Sequence, residues 1–155
     1  MKLTDEIIHF FHNQGCVIVS TLDKQGFPHS SCKGIVDMDR EGKIYLLDLY
    51  RRRTLENLKA NQHISITAIN EYKFIGYCLK GKAEIKPLSN LSPQILKAWE
   101  DRITSRLTQR LLRNIRGEKG HSHHPEAMLP KPEYLIGINV EEIVALTPRS
   151  INKDG

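Results

Sequence analysis

Three consecutive arginines, in Tyr50-Arg51-Arg52-Arg53-Thr54-Leu55-Glu56-Asn57-Leu58, are the residues best suited to chemistry in this chain. They stand where a strand should end and a helix should begin. A guanidinium presents a planar fork of N–H groups that grips two phosphate oxygens at once. The start of a helix adds unpaired backbone N–H groups and the positive end of its dipole. Together these features suit one phosphate monoester. The stretch is not a P-loop and has no glycine cradle, so a solvated basic edge beside a strand is the alternative reading.

Two other clusters carry less. His121-Ser122-His123-His124-Pro125-Glu126 could bring His121 and His123, or His123 and Glu126, to one metal ion. A second pair at four-ligand spacing is missing, so no metal is assigned. Arg102, Arg106, Arg110 and Arg113 form a stripe beside Trp99, Ile103, Leu107, Leu111 and Ile115. That stripe could follow a phosphate backbone. It comes without a helix-turn-helix, a zinc finger or an aromatic stacking platform. It reads instead as a solvated helix face, and nucleic acid is not expected as a partner.

The whole composition bounds these readings. A chain of 155 residues with 39% apolar and 26% charged residues is one globular domain able to bury a core without disulfides. Its net charge of +5 favours anionic partners without choosing among them. No apolar run approaches a membrane span, and the acidic start, Asp5-Glu6, reads as a mature cytoplasmic N-terminus. Cys16, Cys32 and Cys78 match no zinc or redox spacing and read as buried, reduced thiols.

The elements that must position these residues are mostly short strands. A helix is expected over Asp5–Asn13, capped by Thr4. Strands follow over Cys16–Leu22, Phe27–Val36 and Lys43–Leu49, joined by polar turns at Asp23–Gly26 and Asp37–Gly42. A second helix runs over Arg53–Ala60. Ile64–Ile69 alternates with period two, and Tyr72–Lys86 forms a long strand loosened at Gly76 and Gly81. The longest helix spans Pro93–Arg116, a polar loop runs over Gly117–Pro132, and a last strand covers Tyr134–Leu146 with a break near Glu141. The fold class is mainly β (α+β), with antiparallel strands closing into a barrel and helices at its periphery. Residues 93–132 form a helix and His-rich loop appendage to a single domain, 1–155.

An ordered series of segments ties this outline to a known family. Pro28-His29-Ser30-Ser31-Cys32-Lys33-Gly34, Asp39-Arg40-Glu41-Gly42-Lys43-Ile44-Tyr45-Leu46-Leu47, Arg52-Arg53-Thr54-Leu55-Glu56-Asn57-Leu58, His63-Ile64-Ser65-Ile66-Thr67 and Lys80-Gly81-Lys82-Ala83-Glu84 follow one another. With the closing Tyr134–Leu146, the series resembles the pyridoxamine 5′-phosphate oxidase-like, FMN-binding split-barrel family. The resemblance implies an antiparallel split β-barrel, a homodimer with FMN in grooves at the interface, and a small-molecule substrate. It implies that Arg52 and Arg53 hold the FMN phosphate. Ser31, Cys32, Lys33 and Gly34 would line the ring and ribityl chain, and Leu46, Leu47 and Asp48 would contact them from the next strand. Gly76 and Tyr77 would meet the ring edge from the other subunit. A Lys33 ammonium near the flavin N1–C2=O edge would stabilise the reduced ring.

The departures narrow the activity. Oxidase members carry Arg at the position of Ser31 and Gln at that of Gly76, and a C-terminal substrate motif that this chain lacks. Pyridoxamine phosphate oxidation is therefore not implied. The expected function is an FMN-binding oxidoreductase that passes hydride through the flavin, with no catalytic acid or base assigned. The alternatives are a non-catalytic flavin carrier or sensor, and a haem-binding split-barrel protein using a loop histidine.

Overall fold

The computed structural model describes residues 1–48, 52–115 and 133–147, and their side chains except at 106–115. Within them the order is α1 (Asp5–His12), β1 (Val17–Leu22), β2 (Pro28–Met38), β3 (Lys43–Leu47), α2 (Arg53–Ala60), β4 (His63–Asn70), β5 (Ile75–Pro87), a single 3-10 turn, α3 (Pro93–Ile115) and β6 (Tyr134–Ala145). The six strands close into an antiparallel barrel in the order β1-β2-β3-β6-β5-β4. The expected meander of the first three strands is present. The last strand then inserts between β3 and β5, a long-range pairing that closes the sheet and leaves no free edge.

Alternation explains the barrel interior. In β1, Val17, Val19 and Thr21 are buried while Ile18 and Leu22 are exposed. Opposite residues of an antiparallel pair share a face, so Lys33, Ser31 and His29, which pair with Val17, Val19 and Thr21, point the same way. The interior is filled by Ile35, Ile44, Leu46, Ile64, Ile66, Leu79, Ile136 and Ile138, and α1 adds Ile7 and Phe11. Leu58 of α2 joins this core. A second cluster lies outside the barrel, where Val36, Leu47 and Leu135 are covered by Ile95, Trp99 and Ile103 of α3.

Two glycines do necessary work. Gly26 closes the β1–β2 hairpin at φ +85, a conformation that strains side chains with a Cβ. Asp23 accepts the backbone N–H groups of Gln25 and Phe27 across the same turn. Gly81 sits where β5 and β6 change register, and a Cβ there would collide with the Asn139 carbonyl. Lys80 pairs with Glu142 and Gly81 with Val140, so Glu141 is the extra residue of a bulge. The break expected near Glu141 is this bulge in a continuous strand.

Three expectations need correction. Cys16 and Cys32 are exposed and Cys78 is half-buried, because Cys32 lies on the outward face of β2 opposite Ile18. The β4–β5 turn takes up Glu71–Phe74, so β5 starts at Ile75 and not at Tyr72. Arg102 is half-buried and not free on a solvated face: its guanidinium packs over Gly34 of β2, 3.3 Å from where a Cβ would stand, and donates to the Gly15 carbonyl at 3.4 Å. The side chains of Arg106, Arg110 and Arg113, the His121–Glu126 cluster and Arg51 lie outside the described residues.

Candidate phosphate-binding site at the start of the second helix

The helix α2 forms because Thr54, Asn57 and Leu58 fall on one face that packs into the barrel end, while Glu56 and Lys59 face water. Asn57 donates to the Thr21 hydroxyl at 3.0 Å in a buried bond, which fixes α2 against β1. At the other end, Thr54 is 4% exposed, and its hydroxyl lies 3.2 Å from that of Ser31 on β2. The N-cap position is Arg52, and among the described residues no side chain caps the first turn.

Arg52 and Arg53 flank this uncapped turn, and both are exposed. Among the described residues neither has an ion-pair partner. Two exposed arginines, a helix start that the Arg52 side chain does not cap and the Ser31–Thr54 hydroxyl pair thus belong to one short stretch of the fold. Every member is a donor or can act as one. That set fits a phosphate dianion and would be poorly satisfied by a neutral ligand.

The remaining residues expected at the site divide between places. Lys33 and Asp48 meet each other: Lys33 Nζ donates to Asp48 Oδ1 at 2.7 Å, with side chains 8% and 2% exposed. The Tyr134 hydroxyl donates to the other carboxylate oxygen, also at 2.7 Å. Leu46 is sealed inside the barrel, and Leu47 faces outward beneath α3. Gly34 lies under Arg102. Gly76 and Tyr77 are not near Ser31 within one chain. The row Ser31–Val19–Ile66–Leu79 crosses three strand boundaries before reaching β5, roughly 14 Å at ordinary strand spacing. Tyr77 instead donates to Glu6 at 3.1 Å and packs edge-on against Phe10. Burial, and then the Glu6 carboxylate, raise its pKa above the usual tyrosine value of 10.0.

A cavity of about 380 Å³ opens elsewhere, at the outer ends of β1, β4, β5 and β6, beside Leu22, His63, Ser65, Lys80 and Glu142. It contains none of the expected site residues. Among the described residues there is no cluster of three or more His, Cys, Asp or Glu able to hold a metal ion, and no helix is long and apolar enough to cross a membrane. Thr54 and Tyr134 were the site-forming residues least visible in sequence. Thr54 had a signal, as a hydroxyl one place beyond the arginine pair. Tyr134 had none, since its partner Asp48 is 86 positions away.

A closed six-stranded antiparallel barrel with three helices around it defines a split-barrel protein. The chain matches the profile described as Pyridoxamine 5′-phosphate oxidase over residues 3–145, and it belongs to that family. No curated protein matches it. Among solved structures it is similar to HupZ of Group A Streptococcus, with 19% identity, a TM-score of 0.65 and 94% of each chain covered. It is similar to HutZ, the heme storage protein of Vibrio cholerae, with 20% identity, a TM-score of 0.54 and 93% of this chain and 94% of that one covered. It is also similar to an F420 reductase, with 16% identity, a TM-score of 0.57 and 92% and 98% covered. At these identities the likeness is one of fold.

Proposed function

We propose that this protein binds FMN and acts as a flavin-dependent oxidoreductase on a small molecule. The observation that carries the reading is the start of α2, where the exposed Arg52 and Arg53 lead into a turn that the Arg52 side chain does not cap and Thr54 bonds Ser31. A flavin supplies hydride transfer at its ring, and the chain's own residues bind and orient it. Arg52 and Arg53 neutralise the phosphate, the first turn of α2 donates backbone N–H groups to it, and β2 carries the strand edge along which the ribityl chain would run. Family membership supports a flavin-type cofactor, and a single phosphate monoester is what this donor set suits.

The reading includes a homodimer. One outer face of the barrel is covered by α3, whereas among the described residues the face of β1, β4 and β5 has no helix on it and exposes Ile18, Ile69 and Leu22. A second copy seated there would bury this apolar row. It would also bring a second β5, with Gly76 and Tyr77, toward the site that the first chain leaves open. A haem-binding role is the second reading, supported by the likeness of fold to HutZ.

The test is a fluorescence titration of the purified protein with FMN and with riboflavin. Tighter binding of FMN is expected, because only FMN carries the phosphate. Equal affinity for both, or binding of neither, contradicts the reading.

A further inference from the structure

We infer that Asp48 is a positioning residue for the phosphate anchor: held by Lys33 and Tyr134, it fixes one end of the connection that delivers Arg52 and Arg53, while Ser31 fixes the other. The inference rests on the phosphate reading above and assigns its supporting groups.

The geometry is specific. Asp48 is the first residue beyond β3, and Thr54 is the second residue of α2. Both arginines lie between them in sequence. Lys33 and Ser31 are two apart on β2, so they project from the same face. Lys33 reaches Asp48 at 2.7 Å, and Ser31 reaches Thr54 at 3.2 Å. One strand face therefore clamps both ends of the segment that carries the arginines. Tyr134 ties the first clamp to β6, the strand on the other side of β3.

The chemistry points to positioning over direct contact. Both Asp48 oxygens are engaged within the chain, and the Lys33 side chain is 8% exposed. Both side chains are buried, with their charged ends turned to each other and to Tyr134. A buried ion pair contributes little net stability over a well-packed apolar pair, because desolvation offsets its attraction. What it does supply is directional fixing of three segments that apolar packing would leave free to slide. An arginine displaced by even 1 Å loses a bidentate grip.

The test compares dissociation constants for FMN and riboflavin in wild type, Tyr134→Phe, Asp48→Asn and the double variant Lys33→Met/Asp48→Leu. Tyr134→Phe keeps its ring in the core, and the double variant replaces the pair with apolar groups of similar size, so these two keep the fold. The FMN constant should rise about tenfold in each, as expected for loss of a charge-assisted contact, with the riboflavin constant unchanged. A structural role alone would lower the melting temperature and leave the FMN-to-riboflavin ratio at its wild-type value, and that result overturns the inference. Wild type is read first: no preference for FMN there overturns the phosphate reading and this inference together. Wild-type preference retained in the variants overturns this inference alone.

Discussion

Ser31 Oγ on β2 lies 3.2 Å from Thr54 Oγ1 in the first turn of α2. The contact fixes where the helix begins relative to the barrel wall. It also sets two hydroxyls beside a helix end that the Arg52 side chain does not cap. Replacing Thr54 with Val keeps the volume but removes one partner of the bond. The loss should cost about 1 kcal/mol, a fall of about 3 °C in melting temperature for a chain of this size. Calorimetry of T54V checks this, and an unchanged melting temperature would show the contact to be incidental.

The arginine pair should govern affinity without governing stability. Both side chains are exposed and make no ion pair among the described residues. The double variant Arg52→Ala/Arg53→Ala should weaken FMN by roughly a hundredfold, on the order of 3 kcal/mol for two charge-assisted contacts. Its melting temperature without ligand should stay near wild type. Isothermal titration calorimetry reads the first and thermal unfolding the second. Undiminished FMN affinity would remove the anchor.

Much of this arrangement is legible in the sequence because it is local. Apolar runs between polar turns placed β1 to β3, period-two alternation placed β4, and α2 runs from Arg53 to Ala60 as its spacing predicts. Gly81 marked a true close approach, and the interruption near Glu141 marked a true bulge. What escaped depends on residues distant in sequence. Cys32 is exposed because β2 turns its odd-numbered residues inward, a phase fixed by pairing with β1. Arg102 is drawn onto Gly34 because the missing side chain leaves a flat landing place for a guanidinium. Lys33 meets Asp48, and Asp48 meets Tyr134, only once β2, β3 and β6 are neighbours. No periodicity within any one of these strands signals such a triangle.

The uncovered barrel face makes a prediction about assembly. Ile18 is 44% and Ile69 61% exposed on strands that no helix covers among the described residues. Burying a carboxylate there without a partner is costly, so Ile18→Asp or Ile69→Asp should convert a dimer to a monomer with little effect on the fold of the chain. Light scattering coupled to size-exclusion chromatography decides it. A dimer of undiminished strength in both variants would place the interface elsewhere.

Tyr77 gives the alkaline limit of stability a molecular cause. Burial and the nearby Glu6 carboxylate hold its folded-state pKa above the usual 10.0. The folded state therefore keeps the phenol proton at pH values where the unfolded chain releases it. This contribution is fully present below pH 10 and is lost as pH rises through the folded pKa. The link between α1 and β5 should weaken over the same range. Tyr77→Phe should flatten this part of the stability profile, measured by urea unfolding at stepped pH. An identical alkaline slope in the variant would assign the effect to another group.

The most direct measurement is the absorbance spectrum of the protein as purified, followed by heat release and chromatographic identification of whatever chromophore it carries. A bound flavin should give the yellow near-ultraviolet and blue absorption of an oxidised isoalloxazine, and the released compound should run with FMN. A Soret band, or a colourless protein that remains colourless after incubation with FMN, would contradict a flavin phosphate held at Arg52 and Arg53.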